Sequence, residues 1–524
     1  MTAPASTGEV RWGTPVAWGV LATTILGSGM AFLDSTIINV ALPRIGEELG
    51  AGVSGLQWIL DGYMLSLAAL ILIAGSLGDR YGRRKVFQIG VIWFGLASVL
   101  CGVAQTTGML VAARVLQGIG GALLTPGSLA IIQSAFVRED RARAIGAWSG
   151  LGGIAGAIGP LVGGLVVQAW SWRLAFLINI PLALLCVVLA RKYVPESCDR
   201  QMVGGHPDVL GSALAALGLA GITAALVESP GRGAGDPMVL ILGIAGVLAL
   251  AAFVTLQRRQ ANPLVPPDLF GDRTFVVSNA LTFVVYAALG GVMMLFVMQL
   301  QVSLGYSPTA SGVAGLPITL LLLLLSARSG RLAQRFGPRP FLVAGPIVIA
   351  LGMVLLTRVG PGASYLGAVL PAVVVFGLGL VLVVAPVTAT VLAAADDRHA
   401  GVASGVNNAV ARTGGLLAVA VLPAVAGLSG DAYTNPAALT SSWQTAMWVC
   451  AGLCVLGGLL AFGVRNDVLA IGPTLADPAK VKCPGECPLC DSPYPGECVH
   501  CDVTGPPTHV IPAHKVSSAP PAAA

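Results

Sequence analysis

Charge is what this sequence has least of: only 10% of its 524 residues are Asp, Glu, Lys or Arg, against 55% hydrophobic. A soluble chain of this length would need far more polar surface to cover its cores, so water is excluded as the solvent for most of it. Histidine is scarce, with five in all, and the apolar runs hold no His-rich or nucleophilic constellation, which argues against an integral membrane enzyme. No GxxxxGK[ST] phosphate loop occurs, so drive by ATP bound to this chain is not expected. The net charge of +5 reflects the sidedness described below and gives no reason to invoke nucleic acid.

What the chain has in abundance is uninterrupted apolar sequence. Fourteen runs are long enough to cross a bilayer core of roughly 30 Å. They centre on 16–38, 54–74, 86–105, 109–133, 144–168, 172–190, 208–227, 237–256, 274–298, 309–327, 340–357, 364–392, 402–427 and 443–464. Lipid offers no partner to backbone N–H and C=O groups, so each span must be helical. The fold class is therefore an all-α polytopic membrane protein with fourteen spans. The first run follows only Arg11 and meets Asp34 with no small-residue cleavage site, so it reads as a retained span.

The cations set the orientation. Alternate connectors carry Arg80, Arg83, Arg84 and Lys85; Arg138, Arg141 and Arg143; Arg191, Lys192 and Arg200; Arg258, Arg259 and Arg273; Arg328, Arg331, Arg335 and Arg339; and Arg398. The other set has only Arg44, Arg173, Arg232 and Arg358. Both termini are thus expected in the cytoplasm. Low lysine with high arginine, alanine and glycine suggests a GC-rich bacterial genome, hence a bacterial cytoplasmic membrane.

The sequence also repeats. At an offset of 255 positions "GSLGDRYGRR" falls on "GRLAQRFGPR", so that Gly75, Leu77, Arg80, Gly82 and Arg84 meet Gly330, Leu332, Arg335, Gly337 and Arg339. "GIGGALLTPG" from Gly118 echoes "GLGLVLVVAP" from Gly377 at an offset of 259. Internal repeats in a membrane protein point to two bundles around a central pathway. The expected organisation is a cytoplasmic N-terminus (1–15), a six-helix bundle (16–195), two linking helices (205–257), a second six-helix bundle (274–465) and a cytoplasmic tail (466–524).

These residues resemble a known family. "GSLGDRYGRRKV" is similar to the loop signature of the major facilitator superfamily, with Gly75, Asp79, Arg80, Gly82, Arg83 and Arg84 on its marked positions. "LDSTIINVALP" from Leu33, "RVLQGIGGALLTPG" from Arg114, "GIAGAIGPLVGG" from Gly153 and "WSWRLAFLINIP" from Trp170 resemble motifs of its fourteen-span drug:proton antiporter group. The resemblance covers about residues 16 to 465. It implies proton-coupled export by alternating access, with the loop cluster latching the outward-facing state. It also implies that Gly152, Gly156, Gly159, Pro160, Gly163 and Gly164 form an exporter motif on the fifth span. Glycines four apart let helices touch backbone to backbone, and Pro160 removes a helical hydrogen bond.

A charge at the centre of a span costs on the order of 2.5–3.5 kcal/mol, so each one is informative. Asp34 is the leading proton-carrier candidate; the alternative is a structural carboxylate near the outer end of its span, bonded to Thr36 or Asn39. Asp61, in "WILDGYML", is the rival, or else faces water in an outward vestibule. Arg114 cannot lose its proton and is expected to tune a carboxylate. Its repeat position holds Val373 or Val374. Tyr286, Met293, Asn407 and Arg412 are candidates for the substrate path, though Arg412 reads more readily as a structural contact, paired with a carbonyl or snorkelling. Buried acids favour lipophilic cations as substrates; neutral compounds fit equally.

The tail differs in composition. "CPGECPLCDSPYPGECVHC" places Cys487-x2-Cys490 and Cys498-x2-Cys501 at the spacing of a tetrahedral thiolate site for zinc. Transport itself calls for no cofactor. The expected partners are the lipid bilayer, protons and small hydrophobic or amphiphilic compounds, with no nucleic acid, and the chain is read as monomeric. The alternatives are export of one dedicated metabolite, or a membrane-bound metal sensor acting through the tail.

Overall fold

The computed structural model describes residues 10–198, 208–260, 263, 265–395, 400–428 and 432–469. The first half comprises α1 (Pro15–Leu49), α2 (Val53–Tyr81), α3 (Arg83–Gly102), α4 (Thr107–Ala135), α5 (Arg138–Ala169), α6 (Trp172–Leu177) and α7 (Asn179–Tyr193). Two linking helices follow, α8 (Val209–Arg232) and α9 (Pro237–Arg259). The second half comprises α10 (Arg273–Met298), α11 (Pro308–Ala314), α12 (Leu316–Phe336), α13 (Arg339–Leu356), α14 (Leu370–Ala393), α15 (Ala400–Val425) and α16 (Pro436–Leu460). Thirteen spans are long and apolar enough to cross a membrane, with α6–α7 and α11–α12 each counted as one. The 32-residue α5 adds an apolar stretch, Ile158–Ala169.

Boundaries depart from the hydropathy reading in instructive ways. The first run was expected to centre on 16–38, yet α1 continues through Pro43 and Arg44 to Leu49, where Gly50 closes it in the left-handed conformation. Hydropathy marks where lipid lies; a helix goes on until a cap takes up its last carbonyls. Conversely, the single run at 172–190 is interrupted at Ile178, and that at 309–327 at Gly315.

The repeat is visible in the packing. In the first half α4 packs on α2 and α3, and α1 on α5; in the second α14 packs on α12 and α13, and α10 on α15. A Cβ at Gly120 would lie 2.6 Å from the backbone nitrogen of Phe94, and one at Gly379 would lie 2.5 Å from that of Ile349. Both glycines thus let the paired helices touch along their backbones. The arginine-rich turns match as well. Arg84 donates to Val194 O at 3.1 Å, and its backbone N–H to Glu196 Oε1 at 3.0 Å. Arg339 donates to Val464 O at 2.7 Å, and its backbone N–H to Asn466 Oδ1 at 3.2 Å.

Gly82 and Gly337 stand at the centres of these turns with φ of 109° and 84°. A Cβ at Gly82 would also lie 2.8 Å from a Glu196 oxygen. Gly82→Ala should therefore destabilise the fold by about 1–2 kcal/mol through the backbone penalty alone. Thermal unfolding of the solubilised protein checks this, and an unchanged midpoint would contradict it.

The halves meet through α2 on α15 and α5 on α11, and α8 lies against both α2 and α15. Helix α9 packs on α8 and otherwise presents Leu240, Ile241, Ile244, Val247 and Leu248 outward, as a lipid-facing helix does. At the arginine-poor end the halves are bonded. Gln57 donates to Val419 O and Ala420 O at 2.7 and 2.9 Å. Gln301 donates to Val40 O at 3.0 Å, and Tyr433 Oη to Ala51 O at 2.7 Å. Among the described residues no hydrogen bond or ion pair joins the two halves at the arginine-rich end.

Candidate functional site

The first half encloses a buried polar cluster. Asp34 lies near the middle of α1, not at an outer end, because the helix runs on to Leu49. Arg114, on α4, donates to Asp34 Oδ2 at 2.5 Å; the two residues are 1% and 2% exposed. The guanidinium also donates to Gln117 Oε1 at 2.6 Å and to Ile59 O at 3.1 Å. Gln117 Nε2 in turn donates to Asp34 Oδ1 at 2.8 Å and to Ser98 Oγ at 2.9 Å. Asn179, the first residue of α7, reaches Ser98 Oγ at 3.3 Å and Asp34 Oδ1 at 3.5 Å. The guanidinium lies 4.3 Å from the Tyr63 ring centroid and 5.8 Å from that of Phe176. Burying an ion pair is expensive unless its remaining valences are filled. Here they are filled from α1, α2, α3, α4 and α7.

Neither Thr36 nor Asn39 takes part. Their side chains bond backbone carbonyls of α1 itself. Sequence reasoning missed Gln117 and Asn179. Gln117 carried a signal, since three residues beyond Arg114 on a helix it shares the same face. Asn179 falls within the quoted "WSWRLAFLINIP", but its approach to Asp34 depends on the break at Ile178. The second half has no equivalent: at the offset of 259, Val373 replaces Arg114 and is 1% exposed.

Asp61 sits two turns into α2 and is wholly buried, with neither carboxylate oxygen hydrogen-bonded. In this state helix packing closes over it, so it does not face water here. One and two turns earlier on α2, Trp58 Nε1 and Ser54 Oγ donate at 3.0 and 3.3 Å to Glu228 of α8, a charge the sequence reading overlooked.

The loop cluster is tied within its own half. Asp79, near the end of α2, pairs at 2.7 Å with Arg83, the first residue of α3. Arg84 holds Val194 O and Glu196, while Arg80 leaves its buried Nε unbonded. Gly75 lies inside α2 with only ordinary contact to Pro126, so of the two glycines Gly82 alone makes the turn. On α5, Gly159 and Gly163 abut Thr36 and Ile37 of α1, whereas Pro160 and Gly164 face Gly312, Pro308 and Thr309 of the second half. Gly152 and Gly156 fall in α5, where the side-chain surroundings are not described.

Asn407 donates to Asn279 Oδ1 at 3.2 Å and Thr282 Oγ1 at 2.9 Å, both within the second half. Met293 packs on the hydrophobic core. Arg412 is half-buried on α15, within electrostatic reach of Tyr63 and Tyr286. Cys487, Cys490, Cys498 and Cys501 lie outside the described residues.

Comparison with known proteins now bears on this geometry. The family model described as Major Facilitator Superfamily matches residues 24–419 and 281–481. Multidrug resistance protein Stp of Mycobacterium tuberculosis is 35% identical over 406 residues, covering 77% of this chain and 75% of its own. Puromycin resistance protein pur8 of Streptomyces alboniger is 34% identical over 472 residues, covering 88% and 93%. Among solved structures, a peptide transporter POT in complex with sulfate superposes with a TM-score of 0.64 at 14% identity, covering 89% of this chain and 98% of that one. A D-xylose-proton symporter gives 0.61 at 16%, covering 86% and 98%.

Proposed function

The chain belongs to the Major Facilitator Superfamily, in its drug-efflux group of transporters rather than among enzymes, and on that premise we propose that it exports small hydrophobic or amphiphilic compounds in exchange for protons. It works by alternating access, as a monomer, without a cofactor. It lies in the bacterial cytoplasmic membrane with its arginine-rich end and both termini in the cytoplasm. On that orientation the bonded, arginine-poor end faces outward, and the structure corresponds to an inward-facing state.

The observation that carries the reading is the Asp34–Arg114–Gln117 cluster, buried in one half and unmatched in the other. Arg114 stays charged at any accessible pH. A shift of α1 against α4 parts Asp34 from that cation and opens its carboxylate to the transported proton. Arg114 then keeps Gln117 Oε1 and Ile59 O as acceptors, so the freed cation is not stranded. Asp61 has neither counter-charge nor hydrogen bond among the described residues in this state. Inward proton flow supplies roughly 2.3 kcal/mol per charge for each 100 mV of membrane potential. The loop cluster is the latch of the opposite state, which fits its lack of bonds to the second half here.

The test is gradient-driven uptake into inverted vesicles of three fluorophores: cationic ethidium, neutral Nile red and acidic anthracene-2-carboxylate. Wild type should concentrate at least one of them when a pH gradient is imposed, and Asp34→Asn should abolish this at equal expression. Full uptake by the Asn variant would remove Asp34 from the coupling machinery. Uptake indifferent to the gradient would remove antiport.

A further inference from the structure

Among the described residues, Arg412 is the one intramembrane cation the mechanism above leaves idle. Its Nε is buried and unbonded, and it makes no hydrogen bond or ion pair among the described residues. Arg114, by contrast, has a carboxylate, a side-chain amide and a carbonyl as acceptors. A guanidinium with its Nε buried and without an acceptor is costly, so a partner from outside the chain would gain what the protein does not supply.

Its surroundings define that partner. Arg412 stands at the seam between the halves, within electrostatic reach of Tyr63 on α2 and Tyr286 on α10. One turn along α15, Gly415 lies 3.6 Å, measured from an added Cβ, from the Met64 methyl on α2. Helix α15 packs backbone to backbone on α10: a Cβ at Gly414 would lie 2.6 Å from Phe283 O, and one at Gly290 would lie 2.8 Å from Gly415 Cα. Asp61, on the same partner helix, is not bonded to it.

We infer that Arg412, with Tyr63 and Tyr286 beside it and Met64 against the next turn of α15, is the substrate-binding group for acidic aromatic compounds. A planar guanidinium takes a carboxylate through two parallel N–H donors. Tyrosine rings offer faces to an aromatic body, and a thioether adapts to its outline. The Tyr63 ring also carries Arg114 at 4.3 Å, which places the bound compound one ring from the Asp34 pair. This reading rests on the export function and names its substrate class.

Binding, and not transport, tests it, so that failure here is separable from failure of proton-coupled export. The full chain in lipid nanodiscs is titrated with anthracene-2-carboxylate and with its methyl ester, with empty nanodiscs as background. Wild type should bind the acid well above the ester. R412Q should weaken acid binding at least tenfold and leave the ester unchanged, and R412K should recover part of the loss. Equal binding of acid and ester by wild type, no binding above background, or acid binding by R412Q within twofold of wild type would each overturn the assignment. So would an R412Q variant that loses acid and ester alike, since that is the mark of a structural contact only. If acid binding holds while vesicles show no gradient-driven uptake, it is the transport reading that fails.

Discussion

Arg114→Ala should abolish gradient-driven flux and lower stability by about 3–5 kcal/mol, the cost of removing one partner from a buried pair. The substitution strands Asp34, which is 2% exposed, and frees Gln117 Oε1 and Ile59 O. It also empties the space beside the Tyr63 and Phe176 rings. Arg114→Lys should retain part of the stability, because a single ammonium can meet Asp34 but cannot also reach Gln117 and Ile59 O in the guanidinium's plane. Asp34→Asn combined with Arg114→Ala should be milder than the sum of the two changes, by about 0.5–3 kcal/mol, since the stranded charge is gone and the Asn can still accept from Gln117. Thermal unfolding of the purified variants reads stability, and vesicle uptake reads flux. If Arg114→Ala unfolds within about 1 kcal/mol of wild type, the cluster does not hold α1, α2 and α4 together and its coupling role loses its physical basis.

Much of this was legible in the sequence because it is local or repeated. The 255-residue offset pairs Gly82 with Gly337 and Arg84 with Arg339, and the structure gives both pairs the same backbone turn and the same carbonyl acceptors. Arg114 and Asp34 drew notice because ionised groups are rare in apolar runs. What could not be read is what depends on tertiary register. Nothing in "QWILDGYML" tells that Gln57 bonds α15, that Trp58 bonds α8, or that Asp61, one turn beyond Gln57, bonds nothing. Adjacent residues on a helix lie on different faces, so Gln57 and Trp58 turn to different helices, and which helix each meets depends on tertiary register. The breaks at Ile178 and Gly315 were likewise invisible, since a break leaves hydropathy unchanged; yet one of them begins the helix that brings Asn179 to Asp34.

The second large effect concerns conformation. Gly312→Ala should shift the protein away from the state seen here, because an added Cβ would collide with the carbonyl of Pro160 across the seam. Gly164→Ala should act in the same direction, since its Cβ would lie 2.6 Å from Thr309 Cα and 2.7 Å from Pro308 O. In both cases the obstacle is backbone, which cannot turn aside as a side chain can. Overpacking of this kind costs about 1–3 kcal/mol. That cost falls only on the state in which α5 and α11 are pressed together, so it moves the population roughly tenfold to a hundredfold toward the other state. Spin labels at Glu47 and Ala437, exposed at the arginine-poor end of opposite halves and introduced with the native cysteines replaced, report the separation. The longer distance should gain weight in each variant, with flux falling because the cycle no longer closes there. Distances unchanged from wild type would mean that α5 and α11 yield locally, and that the Gly-Pro segment of α5 packs the seam without governing which end is open.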